Sequence, residues 1–455
     1  MNELNQPPKN PSNQSNASFF EKASGKIQSS LTIKLLTIGI LILLLLIPLD
    51  MVQDLIRDRE YRNYEAINEV NKLWGSHQTL KGPVLSIPYK EYVKEKVDDK
   101  EVVRVLIHRL QVFPKVLKYI GEVNPEKLHR GIYEVAVYKG DIDISGLFLF
   151  EDALEWGVDT ADILWGQATL NFGMTDLGSV QNKVMVNWND EDKEFKPGTS
   201  GTGLFGTGIH VPVKLQQGDQ YNFNIQLKIN GSQNLKFIPL GGITEAHLTS
   251  KWVDPKFTGD FIPDERTVNK SGFEANWTVL DLNRPIPSVL KTNMNVDEYA
   301  FGVDFILPAN QYQKSMRSAK YAMLVIALTF LVFFFIQILQ KVNLHSLQYI
   351  LVGLALVIFY TLLVSISEFL SFNTSYLIAA GATILLVVFY MQGILKNIKF
   401  SAIIFGFMTL IYGFIFTIIN LEDTSLLIGS IGLFIALAVV MIISRKVNWS
   451  ELKNR

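Results

Sequence analysis

AKYAMLVIALTFLVFFFIQIL, residues 319–339, opens the block whose reading decides the fold. Further apolar runs follow at 347–367, 376–395, 400–420 and 424–443, parted by polar breaks of a few residues. A helix that crosses about 30 Å of hydrocarbon needs about 20 apolar residues. The block therefore predicts five membrane-spanning helices joined by tight hairpins.

The charges at the breaks orient the block. Lys341, the pair Lys396 and Lys399, and then Arg445, Lys446, Lys453 and Arg455 fall at alternate ends, with Glu368 and the pair Glu422 and Asp423 between them. Lysine and arginine are retained on the cytoplasmic side, so the C-terminus is expected inside. Upstream, LTIKLLTIGILILLLLIPL at 31–49 reads as a sixth span, with Lys9, Lys22, Lys26 and Lys34 at its start against Glu3 and Glu21. Pro48, Asp50 and a charged helical pattern follow it rather than a small-residue cleavage site, so an uncleaved anchor is expected in place of a signal peptide. The fold class expected is an α + β membrane protein. Six transmembrane helices, one plus five, have a large β-rich extracytoplasmic domain at 50–318 inserted between the first and the second, and both termini are cytoplasmic.

Composition fits that division. Hydrophobic residues make up 48% of the 455, the net charge is −1, and cysteine is absent. No basic excess points to nucleic acid, and neither a disulfide framework nor a cysteine-ligated zinc site is available. The inserted domain must hold together by its own core, for which its size suffices.

Residues 1–30, rich in Asn, Pro and Ser, read as a disordered cytoplasmic tail, with 444–455 as a second cytoplasmic tail. Residues 54–80 set Leu55, Tyr61, Tyr64, Ile67, Val70 and Trp74 among mixed charges, which predicts a helix leaving the membrane and stopped by Gly82 and Pro83. Strand patterns follow at 84–88, 102–113, 132–144, 184–188, 221–229, 247–252, 273–282 and 300–307. In YNFNIQLKI, 221–229, every odd position is apolar, so one face is buried and the other wet. The glycine-rich run at 197–208 lacks the Gly-Lys-Ser/Thr ending of a phosphate loop and reads as a flexible loop.

Several stretches carry a resemblance. They are GPVLSIPY (82–89), LTSKW (248–252), FTGDFIP (257–263), SGFEANW (271–277), NQYQ (310–313), KYAMLVIALTF (320–330) and LHSLQYILVGL (344–354), followed by Ser367 and Glu368. In this order they resemble the CreD family of inner-membrane cell envelope integrity proteins. The resemblance implies an anchor, a large periplasmic domain and a C-terminal bundle in a bacterial inner membrane. It also implies a link to envelope integrity and envelope stress, including colicin tolerance and responses to β-lactams. The tail and residues 280–295 depart from the family pattern.

No acid, base, nucleophile or ligand spacing stands out. The six histidines show no i, i+4 pairing and no Gly-x-Ser-x-Gly elbow occurs, so no catalytic, cofactor-binding or metal residue is assigned. The candidate interaction or structural residues are Trp252, Phe257, Asp260, Phe261, Lys320, Glu368 and His345. Asp260 reads as an Asx turn. Lys320 and Glu368 fall at the same outer end of the bundle and could approach each other, but they read first as a snorkelling lysine and a loop carboxylate. Gly406, Gly413, Gly429, Gly432 and Ala436 are expected on close-packing helix faces. The function expected is that of a non-enzymatic envelope protein whose β domain binds a periplasmic or membrane protein partner, or an envelope component. A transporter or flippase of a lipid-linked or amphipathic substrate and a membrane-tethered periplasmic enzyme are the alternatives. The partners are otherwise the lipid bilayer, with no nucleic acid and no cofactor.

Overall fold

The computed structural model describes residues 31–97, 100–150, 156–216, 218–305, 311–340, 342–421 and 424–445. The expected tail at 1–30 and the charges Lys341, Glu422, Asp423, Lys446, Lys453 and Arg455 lie outside the described residues. The chain forms two compact units, one of Arg62–Pro308 and one of Met1–Tyr61 with Ala309–Arg455.

The expected anchor and the charged helix after it are one element. Helix α1, Leu31–Trp74, runs for 44 residues with Pro48 inside it, about 66 Å at helical rise. It ends six residues before the predicted point: Gly75 takes a positive φ of 139°, and a strand, Gln78–Val97, starts before Gly82 and Pro83 rather than after them.

In the Arg62–Pro308 unit, all eight predicted runs lie within or overlap strands, and strands that the sequence reading missed, the longest of them Val116–Arg130, complete two sheets. In the first sheet, Pro255–Gly259, Phe301–Phe305, Asn234–Ile238, Gln78–Val97, Ala168–Met174, Gly208–Val213 and Lys196–Pro197 lie side by side. Lys100–Val112 pairs with the far half of Gln78–Val97, and Val289–Leu290 pairs with Lys100–Val112. The second sheet runs Glu265–Asn269, Gly272–Leu280, Ile243–Ser250, Val116–Arg130, Tyr133–Leu149, Gln220–Ser232, Met185–Trp188 and Glu191–Glu194. Both sheets give their apolar faces to one core, which makes the unit a sandwich. Residues 221, 223, 225, 227 and 229 are the buried set of their strand, as the alternation requires. The core is also tied across by polar tips: the Tyr119 hydroxyl donates to Gly82 O at 2.8 Å and that of Tyr138 to Asn234 O at 2.8 Å. Burial raises the pKa of both phenols, so they remain donors at neutral pH.

The last turns of α1 belong to this unit. Val70 packs with Val135 and Val137, and Trp74 Nε1 donates to Tyr138 O at 3.3 Å. The glycine-rich run is more restrained than expected. Asn171 exchanges two bonds with Ser200, and Gly201 O accepts from Ser86 Oγ at 2.6 Å and Gln111 Nε2 at 2.9 Å.

In the other unit, α2 is Gln311–Lys320, α3 Ala322–Gln340, α4 Ser346–Ser367, α5 Phe372–Leu395, α6 Ile398–Asn420 and α7 Ser425–Arg445. Together with α1, helices α3 to α6 are long and apolar enough to cross a membrane, and α7 is apolar over Leu427–Ile442. Helix α2 is a separate element, so the first helix of the block starts at Ala322 rather than at 319. Side chains set the helix starts: Ser371 accepts from Thr374 N ahead of α5, and Asn397 from Lys399 N ahead of α6. The α1 stripe Leu41, Leu45, Leu49, Val52 and Ile56 is buried at helical spacing. A Cβ at Gly353 of α4 would run into the Leu45 side chain, so one close helix approach lies at a glycine that the sequence did not single out. Gly432 does pack tightly, against Phe414, whereas Gly406 and Gly413 face open space and make no close approach.

Candidate functional site

Trp252, Phe257 and Phe261 enter two aromatic groups of the same core. Trp252 meets Phe305 edge-on and donates Nε1–H to Asp254 O at 3.0 Å. Phe257 meets Phe273 and Trp277, Phe261 meets Phe301, and Phe301 lies 5.8 Å from Trp277 at the centre. The Arg266 guanidinium covers the Phe257 ring at 5.8 Å. These motif residues pack the sandwich. Asp260 is exposed, and its backbone N–H bonds Ala300 O at 3.2 Å. The carboxylate that ties this loop down is that of Asp264, which accepts from Thr278 N at 2.7 Å, so the Asx turn expected at 260 is not the restraint.

In the helical unit, His345 caps α4. Its ring accepts from Leu347 N, and the His345 backbone N–H donates to Gln348 Oε1 at 2.9 Å, which closes a capping box. Lys320 is exposed at the end of α2. Glu368 ends α4 with a side chain only 9% exposed, and its cation is Arg59 of α1 rather than Lys320. Oε1 lies 3.5 Å from Arg59 Nη1, within ion-pair range but without hydrogen-bond alignment. Arg317, unmarked in the sequence, donates to Ile418 O and Leu421 O at 3.3 and 3.0 Å and caps α6. Between α3, α6 and α7 lies a cavity of about 530 Å³ lined by apolar side chains and Gly432.

The strand unit holds the least explained surface. Beyond Tyr89 and Arg109 the Gln78–Val97 and Lys100–Val112 strands continue as a two-stranded arm, paired from Lys90↔Ile107 to Val97↔Lys100. Those ranks span about 24 Å at strand rise. Residues 90–96 and 101–108 are all exposed, on both faces. On one face Glu91 pairs with His108 at 2.8 Å and Glu95 with Arg104 at 3.5 Å. The other presents Val103, Val105 and Ile107 beside Tyr92, each about half exposed or more. The Tyr92 hydroxyl sits by the Asp162 carboxylate, whose charge raises its pKa.

Among the described residues no strand pairs with either outer edge of the arm. Val289–Leu290 takes the edge only at Gln111 and Val112, and the opposite edge is met last by the Tyr89↔Ile163 bridge. The sequence read 102–113 as a strand and did not set it apart from the others. The discriminating signal was that charge falls on both alternating sets of residues from Lys90 to Arg104, which leaves no face for a core.

The sequence profile of the family described as Inner membrane protein CreD matches residues 30–450. The Inner membrane protein CreD of Escherichia coli (strain K12) is 32% identical over 416 residues, covering 90% of this chain and 91% of that protein. Among solved structures, the crystal structure of an M1 zinc metallopeptidase from Deinococcus radiodurans aligns over 36% of this chain and 38% of its own. The identity is 7% and the TM-score 0.16, too slight a likeness to argue from. Profile and relative agree over nearly the whole sequence, and the chain belongs to the CreD family of inner membrane proteins.

Proposed function

We propose that this chain is a non-enzymatic inner-membrane protein that supports cell-envelope integrity and the envelope-stress response. Its six apolar helices span the membrane with both termini in the cytoplasm, and its strand unit works in the periplasm by docking a partner. The membrane arrangement is supported by the lengths of the helices and by Lys396 and Lys399 at the α5–α6 turn opposite Glu368 at the α4–α5 turn. The observation that carries the docking role is the arm. A two-stranded ribbon is marginal alone in water, and a long apolar edge without a neighbour is a template for another strand.

The membrane arrangement has a direct test, since the chain has no native cysteine. Phe369→Cys, at an exposed position beside Glu368, is expected to react with an impermeant maleimide in intact spheroplasts, whereas Lys396→Cys reacts only after permeabilisation. Labelling at 396 from outside would reverse the arrangement. For the docking role, the double variant Val103→Lys with Val105→Lys is expected to reach the membrane at parental levels. It should nonetheless fail to restore envelope integrity to cells that lack the protein. Full restoration would show that the arm is dispensable.

A further inference from the structure

We infer that the partner of the arm is the arm of a second copy of this chain, joined edge to edge through the strand Glu101–Arg109. This inference rests on the docking reading and names its occupant.

The strand is its own antiparallel complement. When two copies meet about a two-fold axis normal to the ribbon and centred on Val105, residues whose numbers add to 210 stand opposite each other on the same face. Val105 then meets Val105, Val103 meets Ile107, and Glu101 meets Arg109. On the other face Arg104 meets Leu106 and Val102 meets His108. No rank opposes like charges, and each end of the pairing closes with a carboxylate against a guanidinium, the arrangement that favours cross-strand pairing. A centre one residue earlier, on Arg104, would stack two guanidinium groups.

Among the described residues no strand pairs with this edge over the required length. Val289–Leu290 of the body occupies Gln111 and Val112 and stops, so the open stretch begins where the incoming strand would end. The apolar side chains left in water, Val102, Val103, Val105, Leu106 and Ile107, are those that the second ribbon would flank. A four-stranded sheet made of two arms has the strand number that a lone hairpin lacks. An anionic lipid surface fits less well. From residue 90 to 107 the sequence carries Lys90, Lys94, Lys96, Lys100 and Arg104 against Glu91, Glu95, Asp98, Asp99 and Glu101, so this stretch has no net charge to draw it to such a surface.

The register makes the test specific. Opposed residues of an antiparallel pair have Cα atoms about 4.5–5.5 Å apart, within disulfide reach. Full-length Val105→Cys in native membranes is therefore expected to shift to a disulfide-linked dimer on mild oxidation. Val103→Cys alone should remain monomeric, because its two copies would be four ranks, or about 14 Å, apart. Val103→Cys co-expressed with Ile107→Cys should crosslink. Val105→Lys, at an exposed position that does not affect folding, should lower the solution mass in detergent from dimer to monomer.

Val105→Cys that stays monomeric under oxidation, or crosslinking at 103 equal to that at 105, would overturn the self-pairing. A photocrosslinker at 105 then separates the two readings in cells. Capture of a different protein refutes self-pairing and leaves docking standing, and capture of nothing refutes both.

Discussion

Trp277→Ala is expected to destabilise the strand unit by about 3–5 kcal/mol, the range for removing a large aromatic from a packed core. Trp277 is 1% exposed, and its ring is met by Phe257 at 5.8 Å and Phe301 at 5.8 Å. Phe257 and Phe301 in turn contact Phe273, Phe261 and Phe237. Truncation removes the common neighbour of both sheets, and the surrounding rings, held on strands, can close only part of the void. A loss of that size is a large share of the roughly 5–15 kcal/mol by which a domain is stable. Denaturant unfolding of the full-length protein in detergent, followed by near-ultraviolet circular dichroism and protease sensitivity of the Arg62–Pro308 unit, measures it. Trp277→Phe should cost much less, because the indole N–H is buried without an acceptor among the described residues and its removal relieves an unmet donor. Equal losses for alanine and phenylalanine would show that the ring is not the keystone proposed.

What could be read in advance follows from how strongly each pattern constrains the chain. Runs of about twenty apolar residues admit few structures, so the helices of the block fell within a few residues of their expected ends. The 221–229 alternation likewise fixed which face is buried. The continuation of α1 out of the apolar run was legible in the charged helical pattern at 54–80, but its end was misplaced, because Gly82 and Pro83 read as the stop while the turn at Gly75 is set by its close approach to Asn230 and Ser179. The glycines were misassigned for a related reason. Spacing shows that Gly406 and Gly413 share a face, but whether a neighbour lies against that face is a tertiary fact, and here none does. The motif residues Trp252, Phe257 and Phe261 stood out as aromatic matches; Trp252 proved to be core, and Phe257 and Phe261 pack half-buried against it. The ion pair of Glu368 with Arg59 joins positions 309 residues apart, and no local pattern announces such a pair.

Arg284 was equally silent in the sequence, and its replacement is the second large effect expected. It lies in the 280–295 segment that departs from the family pattern, and it is 5% exposed. Nη1 donates to Ile286 O at 2.6 Å, and Nη2 donates to Gly241 O at 2.8 Å and Leu240 O at 3.1 Å. It thereby locks the segment onto the turn ahead of the Ile243–Ser250 strand. Burial lowers its pKa to about 10, with Asp281 opposing the shift, so the group remains charged at neutral pH. Alanine would strip three buried carbonyls of a charged donor and leave a void. Bonds to a charged group contribute about 1.5–3 kcal/mol each, and relief of guanidinium desolvation returns part of that sum, so a net loss of about 3 kcal/mol is expected.

Arg284→Met keeps the volume without the donors and should lie between wild type and alanine, while Arg284→Lys, with one nitrogen for three acceptors, should retain part of the bonding. The same unfolding measurement orders the series. Its pH dependence identifies the charge: between about pH 10 and the ordinary arginine range the unfolded chain holds this proton more tightly than the folded one. Stability from this group therefore rises with pH in that window, and the difference between wild type and Arg284→Met should change accordingly. A methionine variant as stable as wild type at neutral pH would mean that the three carbonyls find other donors and that the arginine is not the lock.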